Sequence, residues 1–483
     1  MELLSPAGNI DKLRYCYAYG ADAAYIGLKN FSLRVKADNF YEDEYSKVIQ
    51  LKNEFPGRRL HCALNISFHN NEIDRFIKDI PYFKQYPIDA FIVQDLGIVP
   101  ILQKHFPNAQ LHLSTQASCM NREAVKMYKS LGFSRVVMGR EASLSEIAEI
   151  KDAVPDMEIE CFVHGAMCIA YAGRCLMSAY LNGRSAQEGF CSHTCRWDYD
   201  VMVKPSELAQ SGALYLREHK RPDEYFPVYE GENFTAVLSS KDLCMIDHLA
   251  DLKKAGVDSL KIEGRMKSVY YVALITRAYR KALDALEGKI TQKEAEPFVS
   301  ELYKVSHRPF GTGFYYGRSD ADVTVSGATD SPYQLCAELG KPLCKEEENA
   351  VLKKGKFLRD SRKTAYDAMC QKAREAFEKR TSANPDKYLE GIEEREGWKM
   401  YPLKALNMIQ KDSELEVVSP DCVEKKLCSK DFLLVNPENG ETYNWVCDGH
   451  PCVIYTAEEI ASSSLVRIKD EGYVEGRFRD NGR

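Results

Sequence analysis

Residues 90–140 read AFIVQDLGIVPILQKHFPNAQLHLSTQASCMNREAVKMYKSLGFSRVVMGR. Three short apolar runs stand out in it, AFIVQD (90–95), LHLSTQA (111–117) and RVVMGR (135–140), each closed by polar residues and separated from the next by a helical segment. Runs apolar on both faces are what a parallel sheet covered by helices requires, because neither face meets water. The same unit recurs outward in both directions. Glu2 to Ser5, AAYIGL (23–28) and LHCALNIS (60–67) precede it, and IECFVHG (159–165) and SLKIEG (259–264) follow. Eight such strands within the first 270 or so residues predict an α/β fold, a closed (β/α)8 TIM-like barrel rather than an open sheet. A dinucleotide-binding sheet is disfavoured, since no GxGxxG follows the first strand. Asn9 is the expected cap of the first helix, with Ile10, Leu13 and Cys16 on its apolar face.

In a barrel of this kind the functional face lies at the C-terminal strand ends. The polar residues that close the runs therefore share one rim: Ser5, Lys29, Asn30, Asn65, Gln94, Asp95, Ser114, Gln116, Arg140, Glu141, His164, Glu263 and Arg265. Any one of them is ordinarily a cap for the following helix; the convergence of all eight ends is what argues for a site. From this rim His164, Glu263 and Arg265 are the candidate catalytic residues. Asn65, Gln116, Arg140 and Lys261 are the candidate substrate-binding residues.

Between the seventh and eighth strands the chain runs through residues 165–258, far beyond the roughly 2–6 residues of an ordinary βα loop. This insertion holds Cys168, Cys175, Cys191 and Cys195, the densest group among the chain's 16 cysteines. With no apolar span of membrane length the chain reads as cytoplasmic, with no membrane partner; there structural disulfides are rare and clustered thiols serve metal or redox chemistry. Paired CxxC spacings mark structural zinc, and they are absent here. The irregular spacing suits cysteines gathered around an iron–sulfur cluster, while zinc and plain buried thiols stay open. Further along, a Pro- and charge-rich piece (207–233) reads as a surface hairpin, and Ser240 or Asp242 as the cap of a helix burying Cys244, Ile246 and Leu249.

The motifs HGAMCIAYAGRCLMS, GRSAQEGFCSHTCRW, SSKDLCMIDHL and DSLKIEGRMKS resemble the family labelled peptidase U32, collagenase-like proteases, from Met1 to about Arg318. Within that family the resemblance is to members that hydroxylate tRNA. It implies a [4Fe–4S] protein that hydroxylates C5 of the wobble uridine of tRNA without oxygen, with prephenate as hydroxyl donor. It also makes Cys244 a ligand, giving Cys168, Cys175, Cys191 and Cys244 as the metal set and Cys195 as the alternative. Arg140, Lys261 and Arg265 would then hold the donor's carboxylates. The nearest alternatives are hydroxylation of 23S rRNA or of a ubiquinone precursor. A peptidase is another reading, although HExxH and GxSxG are absent. Some relatives work as paired chains, which implies a homo- or hetero-oligomer.

The formal charge of −6 gives no global attraction to nucleic acid, so an RNA site has to be a local basic patch. Val269 to Leu286 reads as a long helix with Tyr270, Tyr271, Arg277, Tyr279, Arg280 and Lys281 on one flank; such a flank either stacks on bases or simply packs. His307 to Phe314 resembles the family's post-barrel segment and should return across the rim. After a barrel domain over 1–330, residues 331–397 read as linker and helical insertion, with Tyr366, Met369, Cys370, Ala373 and Phe377 on one helix face within 341–388. Residues 398–483 read as a small β-rich, barrel-like C-terminal domain with a hairpin turn at Asn439-Gly440.

Overall fold

The computed structural model describes residues 1–28, 31–32, 40, 44–167, 240–317, 331–375 and 392–473, together with the strands at 214–217, 225–230 and 235–236. It divides into two compact units. The first comprises Met1–Ser331 with Tyr473–Arg483, and the second Pro332–Gly472.

The first unit is a closed parallel barrel. Its strands are β1 (Glu2–Pro6), β2 (Ala23–Ile26), β3 (Arg59–Leu64), β4 (Ala90–Val93), β5 (Gln110–Leu113), β6 (Arg135–Val137) and β7 (Glu158–Ala166). Three strands of the insertion, β8 (Leu214–Arg217), β9 (Tyr225–Glu230) and β10 (Thr235–Ala236), form an antiparallel sheet that includes the expected hairpin. Next come β11 (Asp242–Cys244) and β12 (Ser259–Ile262). β12 closes the barrel by pairing in parallel with β7 on one side and β1 on the other. Helices cover the outside, and local chemistry starts them where the sequence says. The Asn9 side chain accepts from Lys12 N at 2.9 Å, and Ser143 and Glu146 cap each other's backbone. Leu3, Ile26, Cys62, Val93 and Leu260 are fully buried between sheet and helices. Among the described residues no helix is long and apolar enough to cross a membrane.

Two expectations need correction. Residues 242–244 form a strand antiparallel to β7, with Cys244 opposite His164, so neither Ser240 nor Asp242 caps a helix there; the helix that follows is Leu249–Lys254. A serine or aspartate ahead of apolar residues starts a helix only if its side chain is free to bond the backbone, and Asp242 is instead engaged by Arg308. Of the two readings of the Val269–Leu286 helix, packing holds: it buries Tyr270, Tyr271, Arg277 and Tyr279, so most of its aromatic and basic flank is packing surface. Arg280 is tied to Asp22 and Asp284.

The second correction lies in the second unit. Its helix spans Lys345–Asp367 and buries Glu348, Val351 and Gly355, whereas Ala368, Cys370 and Ala373 are exposed. Phe377 lies outside the described residues. Burial follows the partner: Val351 packs with Ile392, Val435 and Tyr455, at the N-terminal half of the helix. The unit's seven-stranded sheet is built from β14 (Tyr333–Leu339), β15 (Lys399–Ala405), β17 (Leu415–Val418), β18 (Lys425–Leu427), β19 (Phe432–Val435), β21 (Cys452–Thr456) and β22 (Ser464–Lys469). Their order is β18-β17-β22-β14-β15-β21-β19, and every pairing is antiparallel. A small ribbon joins β16 (Ile409–Gln410) to β20 (Trp445–Val446). The sheet thus takes its strand β14 from ahead of the helix, within the stretch read as linker.

The helix seats on the hairpin turn through two glycines. A Cβ on Gly440 (φ +75°) would come within 2.2 Å of Gly355 N, and one on Gly355 within 2.2 Å of an Ile392 methyl. Gly440→Ala combines a left-handed backbone with a backbone clash, for a loss of about 2–4 kcal/mol. Chemical unfolding of the full chain followed by tryptophan fluorescence should show it, since Trp398 and Trp445 both lie in this unit. An unshifted transition would mean that the helix does not seat on the turn.

Candidate active site at the barrel mouth

The charge of the barrel interior is carried by side chains that point inward from alternate strand positions. Glu160 is fully buried and sits at the centre. One carboxylate oxygen accepts from Lys261 Nζ at 2.8 Å, and the other from Arg135 Nη1 at 2.9 Å and Ser259 Oγ at 3.3 Å. Arg135 also donates through Nε to Glu158 at 2.8 Å and pairs with Glu2, which in turn takes Arg59. Burial pushes the Glu160 carboxyl up, but Lys261 and Arg135 outweigh it and hold it down at about 2. His61 and His112 meet edge to face at 4.8 Å beside this network, and burial holds both well below the usual histidine range.

Above the network lie further charged and aromatic side chains. Lys261 Nζ lies 4.6 Å from the Tyr25 ring centroid and 5.5 Å from that of Phe162. The Arg140 guanidinium sits over the same Phe162 ring at 4.0 Å, donates to Ala166 O at 2.8 Å and approaches Glu263 at 3.8 Å. The structure therefore brings together three of the expected residues, Arg140, Lys261 and Glu263. Gln116 is buried at the rim; Gln94, oriented to suit its neighbours, donates to the Gln116 carbonyl at 3.2 Å. Asn65 is half-buried. Arg265 is buried apart from this group, with both terminal nitrogens on Ser32 Oγ at 3.2 Å and its carbonyl accepting from Lys12 Nζ. Asp95 and Ser114 cap their own turns, as strand-end polar residues ordinarily do. Lys29 and Asn30 lie outside the described residues.

His164 stands elsewhere. Its ring is enclosed by Tyr271, Tyr279 and Phe310 at 5.3–6.0 Å, with Nδ1 3.5 Å from the Tyr279 hydroxyl and Nε2 buried without a hydrogen-bond partner among the described residues. The β7–β12 register shifts between Lys261 and Ile262, and that irregularity turns His164 toward the helix layer and away from Glu160 and Phe162. Cys244, across the ladder, lies 4.0 Å from the same tyrosine hydroxyl, which itself donates to Val163 O at 2.7 Å. Burial pushes the Cys244 thiol up to about 11.

Sequence reasoning missed the anchor of this corner. Asp242 takes Arg308 Nη2 at 2.7 Å and Nε at 2.9 Å, and Arg308 Nη2 also donates to Met167 O at 3.3 Å. Residues 307–316 do return across this end of the barrel: Phe310–Gly311 forms β13 beside β11, and the Tyr315 hydroxyl donates to Phe162 O at 2.6 Å. Glu160, Phe162 and Tyr25 were missed as well. A glutamate in the middle of an apolar strand was the available signal for Glu160.

Of the five candidate metal ligands, Cys168, Cys175, Cys191 and Cys195 lie outside the described residues. Cys244 is the described one, and its surroundings suit a thiolate donor. It is only partly exposed, it is paired with the strand that leads through Met167 to Cys168, and Ser240 Oγ ties the return of the chain to Met167 O at 3.1 Å. A buried thiol with so high a pKa becomes a thiolate when a metal takes the proton's place.

The family model for Peptidase family U32 matches residues 8–324. The chain is 40% identical over 342 residues to tRNA hydroxylation protein P of Escherichia coli, covering 65% of this chain and 74% of that one. It is 39% identical to the protein of the same name from Haemophilus influenzae, over 65% and 73% of the two chains. It is 34% identical to the Helicobacter pylori protein, over 70% and 78%.

The buried His164 carries a pH signature. Burial lowers it from the usual value near 6.5 to about 3. The unfolded chain takes up this proton below about pH 6.5 and the folded chain does not, so stability falls with pH by up to ~1.4 kcal/mol per unit from this group. His164→Phe should flatten the pH dependence of the melting temperature between pH 6.5 and 4. Equal slopes in the two proteins would show that the ring titrates in the folded state.

Proposed function

The chain belongs to the peptidase U32 family, and from that premise we propose that it hydroxylates C5 of the wobble uridine in tRNA, independently of oxygen, with prephenate as hydroxyl donor. A [4Fe–4S] cluster would be held by Cys168, Cys175, Cys191 and Cys244, with Cys195 in reserve. The observation that carries the reading is the barrel mouth: Arg140 and Lys261 share one aromatic ring, beside Glu263, in a chain similar to proteins named for tRNA hydroxylation.

The residues divide the work by position. Arg140 and Lys261 are cations at the floor of the mouth and would bind the donor's carboxylates, Arg140 through its planar fork. Glu263 orients Arg140 from the side and can accept a hydrogen bond from the base or the donor. Phe162 and Tyr25 offer ring faces that exclude water from the pocket. An iron–sulfur cluster, when bound, supplies electron transfer and a Lewis-acidic iron. Arg265 sets the β12 rim through Ser32 and Lys12 and acts from behind the site.

The family's name favours a second reading, a cysteine peptidase. Such an enzyme needs a thiolate in hydrogen-bond reach of an imidazole. Cys244 has a raised pKa and a tyrosine for a neighbour. Cys447 Sγ does lie 3.3 Å from His450 Nδ1, but in the second unit, outside the residues that match the family model. Hydroxylation is therefore the better supported of the two.

Mass spectrometry of tRNA nucleosides from a deletion strain should show loss of 5-hydroxyuridine, restored by the wild-type gene and not by Arg140→Ala. Iron per chain, counted in anaerobically purified single Cys→Ala variants, should fall for Cys168, Cys175, Cys191 and Cys244. Unchanged nucleosides in the deletion strain would end the reading. Full iron in Cys244→Ala together with lost iron in Cys195→Ala would move the fourth ligand to Cys195.

A further inference from the structure

We propose that Glu160 is a positioning residue for this reaction, holding the Lys261 ammonium charged and aimed at the barrel mouth so that it receives a carboxylate of the hydroxyl donor. The inference rests on the functional reading above and adds to it a residue that touches neither substrate nor cluster.

The geometry carries it. Lys261 is 4% exposed, and its hydrogen bond among the described residues is the one to Glu160 at 2.8 Å. An ammonium has three donors, and a buried donor left unused signals an absent partner. The Tyr25 and Phe162 rings flank the amine, so the remaining donors are confined to the space those rings border. Arg140 occupies the same Phe162 ring, which sets two cations around one aromatic side chain, an arrangement suited to a ligand with two carboxylates. Glu160 is itself fixed from below: Arg135 on β6 and Ser259 on β12 take its second oxygen, and Glu158 and Glu2 hold Arg135.

The charge balance gives the role a pH signature. A lysine buried without an anion gives up its proton, and burial does lower Lys261, with Glu160 as the main opposing charge. The other groups near the amine cannot replace that carboxylate. Arg135 and Arg59 are cations, and His61 on β3 and His112 on β5 are kept neutral by burial. Glu263 is shared with Arg140, and Glu2 with Arg135 and Arg59. Without the Glu160 charge the amine would give up its proton more readily as the pH rises, and would regain it as the pH falls.

The test is calorimetric titration of the purified, cluster-loaded full chain with prephenate between pH 6 and pH 8.5, where both donor carboxylates stay ionised. Wild type should bind with nearly constant affinity. Glu160→Gln should bind about tenfold more weakly at pH 8.5, the size of effect expected for one lost charge-assisted contact, and recover most of the loss at pH 6. Lys261→Met should be weak throughout. In the double variant Glu160→Gln/Lys261→Arg, a guanidinium charged at every pH should restore binding at pH 8.5. If Glu160→Gln does not fold, as circular dichroism would report, Glu160→Asp should show the same pH trend at smaller amplitude. A variant profile parallel to wild type, or a loss equal at every pH, overturns the role of Glu160 and leaves the functional reading standing. Wild type that binds no prephenate at any pH removes the donor reading, and this inference with it.

Discussion

Closure of the barrel rests on β12, four residues that hydrogen-bond β7 on one side and β1 on the other. Ser259 and Lys261 from this strand point into the lumen, so the strand that closes the sheet also delivers the cation at the mouth. The two roles depend on each other through Glu160. Its carboxylate joins β7 to β6 through Arg135 and to β12 through Lys261, and Glu2 extends the network to β1. Removing one partner from a buried group of this kind leaves a bare charge, typically a loss of about 3–5 kcal/mol. Fold and site therefore draw on the same ion pairs.

A second constraint fixes the rim. β11 runs antiparallel to the end of β7, and the Asp242–Arg308 pair locks β11 to the post-barrel segment while Tyr279 holds Val163 and Met245 from the helix side. The buried His164 ring and the partly exposed Cys244 thiol lie beside Tyr279, between strands and helix. The charged groups Arg140, Lys261 and Glu263 lie at the mouth. The end of β7, with Phe162 on one face and His164 on the other, thus borders two environments of opposite polarity.

Much of the barrel was legible in the sequence, because parallel strands buried on both faces must be short apolar runs, and eight of them recur before residue 265. Asn9 and the Asn439-Gly440 turn were readable for local reasons, a side-chain acceptor in one case and a left-handed backbone in the other. The failures share a cause as well. Strict alternation along IECFVHG places His164 on the face of Glu160 and Phe162, and one register shift, invisible in sequence, moves it to the other side. Asp242 looked like a cap because its true partner, Arg308, is 66 residues away. Arg140, Lys261 and Glu263 meet at one end because strand ends converge in any barrel; a glutamate inside an apolar strand marks Glu160 as unusual, but its partners Arg135 and Lys261 follow only from three-dimensional closure.

The Ser240–Met167 contact and the β7–β11 ladder pin the two ends of the cysteine-bearing insertion side by side. Once its ends are fixed at the spacing of paired strands, the entropy of a loop grows only with the logarithm of its length. The barrel is for that reason nearly indifferent to how many residues lie between 167 and 240. Lengthening, shortening or replacing that stretch is a thermodynamically mild event for the scaffold. The ion pairs below the mouth can then stay as they are whatever segment joins those two ends.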